Sequence, residues 1–348
     1  MDKIRLYVAG LGNNISALVQ GMSYYQSLEP NGHQPGIRNR KIGGLKVYDL
    51  EIVGAFDIQE DKIGKPVNEA IFTPPNNYIN LGLDLPASDS VVENGLILRN
   101  GVVTGHEKVV TALKQTKAEV LLYSLPTGLQ WAADEYAKCA LEAGVGLVNC
   151  TPEVIARNEN TLKAFEDAGL ALIGDDLASH LGTSTLHREL LSVLLRRGLT
   201  LESTYQLNMG GNEDFRNLRE VGASKEISKK NALAQEGLDL EAVDVIPSAG
   251  FIKSLNDRKV AYVNVVARGW ANTPINVDLK LEVQDSSNAA GVIIDLVRIA
   301  GCSQRAGKSG FNLAAASFLK SPPSGHSSNE KELELAAFQE LNASIEMA

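Results

Sequence analysis

Short apolar runs alternate with stretches of helical spacing along the first half of the chain. The runs that predict strands are 4–10, 48–57, 118–126, 145–152 and 170–176. The stretches that predict helices are 14–26, 61–71, 106–116 and 129–143. Because each predicted strand is an almost continuous apolar run, we expect it to be buried on both faces, as in a parallel sheet covered by helices. The pattern therefore predicts an α/β fold with a Rossmann-like sheet.

The pattern changes near position 200, where longer segments alternate apolar and polar residues with a period of two. Such alternation predicts an open sheet with one buried face, and a chain of this length commonly forms two domains. We expect the Rossmann-like domain to comprise 1–199 and 287–348, with an end helix that docks back on it. A smaller α+β domain, 200–286, would carry the open sheet. Residues 72–104 show no period and are interpreted as a binding loop or lid.

The charge balance excludes two classes of partner. The chain has 33 Lys and Arg residues against 42 Asp and Glu residues, a formal net charge of -9. An acidic surface repels phosphate backbones and anionic membranes, so we expect no nucleic acid and no membrane as partner. The three cysteines, Cys139, Cys150 and Cys302, form no CxxC pair and are interpreted as buried thiols. With no candidate signal peptide or membrane span in the sequence, a cytoplasmic location is expected.

The segment VAGLGNNISALVQG, residues 8–21, follows a predicted strand and opens a predicted helix. There Gly10 allows a tight turn, and Gly12 lets the backbone approach a pyrophosphate at the helix N-terminus. Ile15 replaces the small third residue of the usual pattern, which predicts a wider helix–strand separation or a turn of another length. Asp57 ends the next strand and is placed to accept hydrogen bonds from an adenosine ribose, which favours NAD over NADP. A helix-start turn without a ligand remains the alternative.

Four lysines stand in segments where they are candidates for chemistry. Lys225 and Lys229 lie four apart on a predicted helix, Lys259 follows Asp257 at the start of a strand, and Lys320 follows an apolar segment. Like charges at that helical spacing repel, so the pair is unfavourable unless an anion lies between them. Lysines that converge lower one another's pKa and can act as acids or bases. Spacing alone does not show convergence, and a solvated helix face is the alternative.

Nine segments along the chain carry a resemblance to a known family. They are GLGNNISALVQG, GAFD, VNCTPEVIA, GDDLASHLGTS, QLNMGGNEDF, SKEISK, NDRKVAYV, LEVQDSSNAAGVIIDLV and FLKSPP. In this order they resemble the motifs of the 1L-myo-inositol-1-phosphate synthases in their short bacterial and archaeal form. The resemblance runs almost from end to end of the chain.

This resemblance implies an NAD-dependent isomerising cyclase with a hexose phosphate as substrate. In the family, NAD takes a hydride from C5 of glucose 6-phosphate, and the ketone acidifies C6. The C6 enolate attacks the C1 aldehyde, and the hydride is then returned, so the product is 1L-myo-inositol 1-phosphate with no net oxidation. The resemblance also implies a homotetramer in which the open sheets pack across subunits.

The resemblance assigns roles to the motif residues of this chain. The implied catalytic residues are Lys225, Lys259, Lys320, Asp257 and Asp285. The implied ligands of the sugar phosphate are Lys229, Ser179, His180 and Gly182. The implied cofactor-binding residues are Gly10, Gly12, Asn13, Asn14, Asp57, Ser124, Asn149, Asp176, Asn208, Asn212 and Asp214. Some members of the family use a divalent metal ion, which would lie near Asp176 and Ser179.

Three positions depart from the family pattern and keep other readings open. Ala178 stands in place of a lysine, His180 in place of a glutamine or glycine, and Gln284 in place of an aromatic or acidic residue. A lost ammonium removes one partner of the phosphate, and a histidine restores it only when protonated. One alternative is a relative that cyclises another hexose phosphate, for example fructose 6-phosphate to a five-membered carbocycle. A second is a catalytically silent NAD-binding scaffold.

Overall fold

The computed structural model of the protein describes residues 2–28, 33–221, 243–323 and 331–346. The strands are β1 (Ile4–Ala9), β2 (Lys41–Ile42), β3 (Leu45–Lys46), β4 (Leu50–Asp57), β5 (Val92–Asn94), β6 (Ile97–Arg99), β7 (Val102–Thr104), β8 (Val120–Tyr123), β9 (Gly146–Asn149), β10 (Leu172–Ile173), β11 (Thr200–Gly210), β12 (Val243–Phe251), β13 (Arg258–Arg268) and β14 (Pro274–Gln284). The helices are α1 (Asn13–Ser27), α2 (Val67–Ala70), α3 (His106–Gln115), α4 (Gln130–Ala143), α5 (Glu159–Asp167), α6 (Thr183–Arg196), α7 (Glu213–Val221), α8 (Asp285–Arg305) and α9 (Lys331–Glu346). Among these helices, none is long and apolar enough to cross a membrane.

The larger sheet confirms the predicted Rossmann-like architecture. Its six strands are parallel and lie in the order β10-β9-β8-β1-β4-β5. From the β5 edge they follow one another as the third, second, first, fourth, fifth and sixth strands of this sheet, which is the order of dinucleotide-binding folds. The order reverses between β1 and β8. Ligands of such sheets bind at the carboxyl ends of the strands at this point.

The sheet is buried on both faces, as its apolar strands require. Ile4, Leu6 and Val8 of β1 belong to an apolar cluster that includes residues of α1 and α8. Tyr7 and Ala9, which point to the other face, belong to a second cluster that includes residues of α3 and α4. Each fully buried aliphatic side chain contributes about 1.5–3 kcal/mol to folding. These two layers therefore hold β1, and the turn that follows it, in a fixed position.

A separate four-stranded sheet has the order β12-β11-β13-β14. Strands β11 and β12 are parallel, whereas β13 is antiparallel to both β11 and β14. On one face Val263 and Val265 form a cluster with Leu191 of α6. On the other face the side chains of Tyr205 and Tyr262 are about two-fifths exposed. Although α6 precedes residue 200, it packs on this second sheet, and the predicted domain boundaries stay a prediction.

The predicted helix 61–71 is wrong over most of its length. The chain forms turns up to Gly64, whose φ is +79°, and only Val67–Ala70 is helical. Pro66 disfavours a helical conformation in the residue before it, and its missing N–H is tolerated only in the first turn, so a helix cannot begin before Pro66. The apolar period in this segment instead reflects the buried side chains of Val67 and Ile71.

The end of the chain returns to the larger sheet, as the sequence predicted. In α9 the side chain of Leu341 is fully buried in the cluster that contains β1. The ring of Phe338 makes an edge contact with Phe318, with 6.3 Å between ring centroids. The backbone N–H of Gly43 donates a hydrogen bond of 2.7 Å to Oδ1 of Asn342. These contacts fix α9 against the hairpin β2–β3 and the segment before Lys320.

Candidate active site

The turn between β1 and α1 has the geometry that a dinucleotide phosphate requires. Gly10 has a φ of +95°, and a Cβ at this position would lie 2.6 Å from the carbonyl oxygen of Ser124. Gly12 caps α1 without a side-chain hydrogen bond, and a Cβ there would meet no atom within 4 Å. The turn is thus tight at Gly10 and open at Gly12, which fits a pyrophosphate at the helix N-terminus. Ile15 is fully buried in the core cluster shared with α8.

Asp57 ends β4 beside this turn, as predicted, but its carboxylate already accepts four hydrogen bonds. The donors are the backbone N–H groups of Leu11 (3.1 Å), Ile58 (2.8 Å) and Gln59 (3.0 Å), and Nζ of Lys62 (3.3 Å). Two carboxylate oxygens offer about four acceptor positions, so these donors occupy the full set. A ribose hydroxyl must therefore share or replace one of them.

Lys62 is a residue of this site that the sequence did not reveal. Its side chain is almost fully buried, and Nζ donates to the carbonyl oxygen of Leu11 at 2.8 Å and to Oδ1 of Asn76 at 3.0 Å. Burial lowers the pKa of the Lys62 ammonium, and Asp57 opposes that change. The only signal in the sequence was its place five positions after Asp57. Lys62 holds together the turn, the carboxylate of Asp57 and the loop that follows α2.

That loop, which was interpreted as a binding loop or lid, connects the two sheets. Oδ1 of Asn13 accepts from the backbone N–H of Asn77 at 2.9 Å, and Nδ2 of Asn13 donates to Oδ1 of Asn77 at 2.7 Å. Nδ2 of Asn77 donates to the carbonyl oxygen of Gly211, which follows β11, at 2.9 Å. The described contacts of this loop therefore join the dinucleotide turn to the second sheet.

Asp257 is the centre of the second half of the site. Its carboxylate is 1% exposed and accepts from Nδ2 of Asn13 (2.9 Å), Nδ2 of Asn212 (3.3 Å), and Oγ (2.7 Å) and the backbone N–H (3.0 Å) of Ser286. Burial raises the pKa of Asp257, and the neighbouring Asp285 raises it further. Asp257 thus connects the turn after β1, the end of β11 and the start of α8.

Two of the four predicted lysines face carboxylates in this region. Nζ of Lys259 lies 3.3 Å from Oδ1 of Asp285 and 5.8 Å from the centroid of the Phe215 ring. Nζ of Lys320 lies 2.6 Å from Oδ1 of Asp176. Both ammonium groups are largely buried, which strengthens their electrostatic effect on a bound anion. Lys225 and Lys229 lie outside the described residues.

The loop 177–182 brings the ring of His180 against α8. The backbone N–H of His180 donates to the carbonyl oxygen of Asn288, and its ring lies against α8 at Gly291, where a Cβ would overlap it. The ring Nε2 is buried without a hydrogen-bond partner, and burial lowers the pKa of His180. The lowered pKa disfavours the protonated imidazole, which is the form that would replace the ammonium missing at Ala178.

Ser179 and Gly182 both lie just before the start of α6. Gly182 caps this helix without a side-chain hydrogen bond, and a Cβ there would lie 3.6 Å from Cβ of Ser179. The first N–H groups of α6 therefore donate no hydrogen bond to a side chain of the capping residue. This arrangement fits the sugar phosphate that the sequence predicts for these two residues.

The other predicted cofactor residues divide into two groups. Nδ2 of Asn14 lies 3.4 Å from Oγ of Ser124 across the switch point, and Oγ1 of Thr127 lies 3.3 Å from Oδ1 of Asp214. In contrast, Asn149 and Asn208 are fully buried. The amide of Asn149 bonds Thr151, Glu153 and Asp175, and the amide of Asn208 bonds Thr183, Gln206 and Ile246. These two asparagines support the site and present no exposed atom to a cofactor.

The expected divalent ion finds no set of ligands in the part of the chain that the structure describes. Within those residues no group of three or more His, Cys, Asp and Glu side chains is arranged to hold a metal ion. Oδ1 of Asp176 instead contacts the ammonium of Lys320. The cation next to Asp176 is therefore the side chain of a predicted catalytic residue.

Comparisons with known proteins find relatives along the whole chain. The family profile described as myo-inositol-1-phosphate synthase matches residues 182–286. An inositol-3-phosphate synthase of Mycolicibacterium smegmatis is 38% identical, and the match covers 97% of this chain and 98% of that protein. The crystal structure of a protein named Ari2 is 52% identical, with a TM-score of 0.89 and coverage of 99% of this chain and 100% of that one. A myo-inositol-1-phosphate synthase-related protein from Thermotoga maritima shares the fold, with a TM-score of 0.76, 20% identity and coverage of 99% and 98%.

Proposed function

The chain belongs to the myo-inositol-1-phosphate synthase family, and we propose that it converts glucose 6-phosphate to 1L-myo-inositol 1-phosphate in an NAD-dependent isomerisation. The observation that carries this proposal is the hydrogen-bonded set that joins the dinucleotide turn to the predicted catalytic groups. Asn13 of the turn bonds Asp257, and Asn212 bridges Asp257 and Asp285, which pairs with Lys259. A cofactor on the turn would therefore lie beside a carboxylate–ammonium pair.

The residues that would hold NAD are Gly10, Gly12 and Asp57, with Asn13 and Asn14 at the start of α1. Bound NAD supplies a hydride acceptor for C5 of the sugar and returns the same hydride after ring closure. The open N-terminus of α1 would bind the pyrophosphate through backbone N–H groups. The buried Lys62 would keep Asp57 and the turn in one orientation.

The lysines would act on the charge that develops on the sugar oxygens. Oxidation at C5 makes the protons on C6 acidic, and loss of one gives an enolate that attacks C1. Lys320 would stabilise the enolate or aldehyde oxygen, and Lys259 would contact the reacting hydroxyls and the phosphate. An ammonium held in a water-poor site stabilises such oxyanions far more than it does in water. Lys225 as proton shuttle and Lys229 as phosphate ligand remain predictions of the family pattern.

A second candidate function is the cyclisation of fructose 6-phosphate to a five-membered cyclitol phosphate. The observation that favours it is the loop 177–182, where Ala178 carries no charge and the ring of His180 lies on α8. The sugar phosphate would thus have one cation fewer than the family pattern provides. The same C6 enolate would attack the C2 ketone in place of a C1 aldehyde, which closes a ring smaller by one carbon. Both reactions are isomerisations.

We also propose a homotetramer that buries the exposed face of the second sheet. Tyr205 and Tyr262, with Ile246 on the neighbouring β12, each expose about two-fifths of their surface. Exposed apolar groups collected on one face are typical of protein contact sites. The cytoplasmic location stays a prediction.

Incubation of the protein with catalytic NAD and either hexose phosphate, followed by NMR of the products, tests the proposal. Glucose 6-phosphate should give inositol 1-phosphate. A five-membered product from fructose 6-phosphate alone would support the second candidate, and conversion of the added NAD to NADH without a cyclitol phosphate would overturn both. Lys320→Ala should lose the product and retain NADH binding. Lys308→Ala, which removes a surface pair with Glu340, is the matched control.

A further inference from the structure

Five polar side chains are buried together between α6 and the second sheet. They are Thr183, His187, Thr204, Gln206 and Asn208, and none is more than 2% exposed. We call this set the His187 network. A buried polar group is unfavourable unless it is hydrogen-bonded, so a set of this size in a helix–sheet interface needs complete pairing. The interface also contains an apolar cluster that includes Leu191.

Each hydrogen bond of the network can be assigned a donor and an acceptor, starting from Thr204. Oγ1 of Thr204 donates to the carbonyl oxygen of Asn264 at 2.6 Å, so it accepts from Nε2 of His187, also at 2.6 Å. His187 then carries its proton on Nε2, and its Nδ1 accepts from Nε2 of Gln206 at 3.2 Å. Each later bond in the network follows from this choice.

The same donor and acceptor assignment fixes the orientation of the side-chain amides of Gln206 and Asn208. Oε1 of Gln206 accepts from Nδ2 of Asn208 at 3.4 Å, and Nδ2 of Asn208 also donates to the carbonyl oxygen of Ile246 at 3.0 Å. Oδ1 of Asn208 accepts from Oγ1 of Thr183 at 3.0 Å. A reversed Asn208 amide would place its oxygen against the Ile246 carbonyl oxygen, which is repulsive. The network therefore specifies one orientation of Asn208.

The network ends next to the proposed substrate site. Thr183 is the first residue of α6 and follows Gly182, the open cap of the helix. On β11, Asn208 and Gly210 share a face, and Gly210 lies opposite Lys259 on β13. The side chains of Asn208 and Lys259 are thus on the same face of the sheet, the face on which α6 begins. Asn208 therefore joins the helix N-terminus to the strand end that carries Lys259.

We propose that His187 and Gln206 are positioning residues that fix the Asn208 amide and, through Thr183, the place of the α6 N-terminus relative to Lys259. This inference rests on the proposed function, because it takes the α6 N-terminus as the site of the sugar phosphate. Neither residue touches substrate. Their effect is on the position of the N–H groups that bind the phosphate, and binding through such groups depends steeply on distance and angle.

Two substitutions at His187 each remove one of its hydrogen bonds, to Thr204 or to Gln206, and keep the other. In His187→Asn the amide oxygen can take the place of Nδ1 and accept from Gln206, whereas the bond to Thr204 is lost. In His187→Gln the longer amide can reach Thr204 as a donor, whereas the acceptor for Gln206 is lost. We expect His187→Gln to raise the KM for the hexose phosphate at least fivefold with little change in kcat. His187→Asn should keep the KM within about twofold, because the bonds that orient Asn208 remain.

Leu191→Ala is the matched control on the same helix and interface. It removes apolar packing against Val263 and Val265 and leaves the hydrogen bonds in place. It should lower Tm with the KM unchanged, and the affinity for NADH should be the same in all three variants. If Leu191→Ala raises the KM as much as His187→Gln does, the network has only a structural role and the proposal is overturned.

The donor and acceptor assignment of the network can be tested without an activity assay, through the tautomer of His187. The chain has 5 histidines, so nitrogen-15 labelling of histidine gives few ring signals, and His187→Asn identifies the one that matters. We expect a neutral His187 ring with the proton on Nε2, and a proton on Nδ1 would overturn the proposal. If the wild-type protein converts neither hexose phosphate, the proposed function fails. Two measurements then still decide the inference: the tautomer of His187, and calorimetric titration of inorganic phosphate into His187→Gln and His187→Asn. Weaker phosphate binding by His187→Gln than by His187→Asn supports the inference, and equal binding contradicts it.

Discussion

Nδ2 of Asn13 donates a hydrogen bond of 2.9 Å to Oδ1 of Asp257, a residue 244 positions further along the chain. Asn13 begins α1 in the dinucleotide turn, whereas Asp257 precedes the strand that carries Lys259. The bond is short and its acceptor is buried. This bond therefore joins the dinucleotide turn to the start of the strand that carries Lys259 on the other sheet.

Substitution of Asp257 should loosen this arrangement. Asp257→Ala removes the acceptor that Asn13, Asn212 and Ser286 share, and the loss of these buried hydrogen bonds costs about 3 kcal/mol in the free energy of unfolding. Urea unfolding measures this loss, and NADH titration should show about tenfold weaker binding because Asn13 loses its orientation. Asp244→Ala, at an exposed position of β12, should leave both unchanged. NADH binding unaffected by Asp257→Ala would show that the bond does not position the turn.

Lys62 should matter for cofactor binding although it is buried behind the turn. Lys62→Met keeps the apolar stem but removes the bonds to Leu11, Asp57 and Asn76. We expect the Kd for NADH to rise about tenfold, since one hydrogen bond to a charged group is worth about 1.5–3 kcal/mol. Lys65→Met, three positions later at an exposed site, is the control. Equal NADH affinities of the two variants would contradict the role given to Lys62.

The contact of His180 with α8 predicts that two substitutions compensate each other. In Gly291→Ala the new Cβ would overlap the His180 ring, and such overpacking costs about 1–3 kcal/mol in the free energy of unfolding. In a protein that already carries His180→Ala, the same change should carry no cost, because Ala in a helix interior is about 0.5–1 kcal/mol more favourable than Gly. Thermal unfolding of the four proteins measures this coupling. If the two substitutions change the free energy of unfolding independently, the His180 ring does not contact α8 at Gly291.

The imidazole of His106 predicts a pH dependence of stability. It lies between Glu135 and Glu142, at 2.8 Å and 2.9 Å. The hydrogen bond to Glu142, with that to Glu135, raises the pKa of His106. A raised pKa in the folded state gives stability that is fully present below the unfolded pKa, about 6.5, and is lost as the pH rises through the folded value.

Urea unfolding at successive pH values tests this dependence. The wild-type protein should lose about 0.5 kcal/mol more than His106→Gln between pH 6 and pH 9, a size typical of partly exposed ion pairs. The exposed His33 provides the control His33→Gln, which should follow the wild-type curve. Parallel curves for wild type and His106→Gln would refute the assignment.

The parallel sheet and the dinucleotide turn could be predicted from the sequence because their signals are local. Near-continuous apolar runs gave β1, β4, β8 and β9, and the two glycines after β1 gave the turn. The helix 61–71 was wrong because its apolar period was read without the restriction that Pro66 places on the residue before it. Local patterns thus predicted which strands and helices are present better than they predicted the residues at which these begin and end.

The bonds that complete the site are not local and could not be predicted. Nothing at position 62 shows that a lysine will be buried against the carbonyl oxygen of Leu11. His180 has the sequence context of a polar loop, and only the absence of a Cβ at Gly291 allows its ring to lie on α8. His187 lies on a helix, and its partners are on strands that pair with one another further along the chain.

The central claim is that one dinucleotide removes a hydride from the sugar and returns it to the same carbon. Hexose phosphate labelled with deuterium at C5, incubated with catalytic unlabelled NAD, tests this claim most directly. We predict that the cyclitol phosphate retains the deuterium at the carbon derived from C5 and that no NADH accumulates. Loss of the deuterium from the product, or NADH formed in proportion to the substrate consumed, would contradict the account.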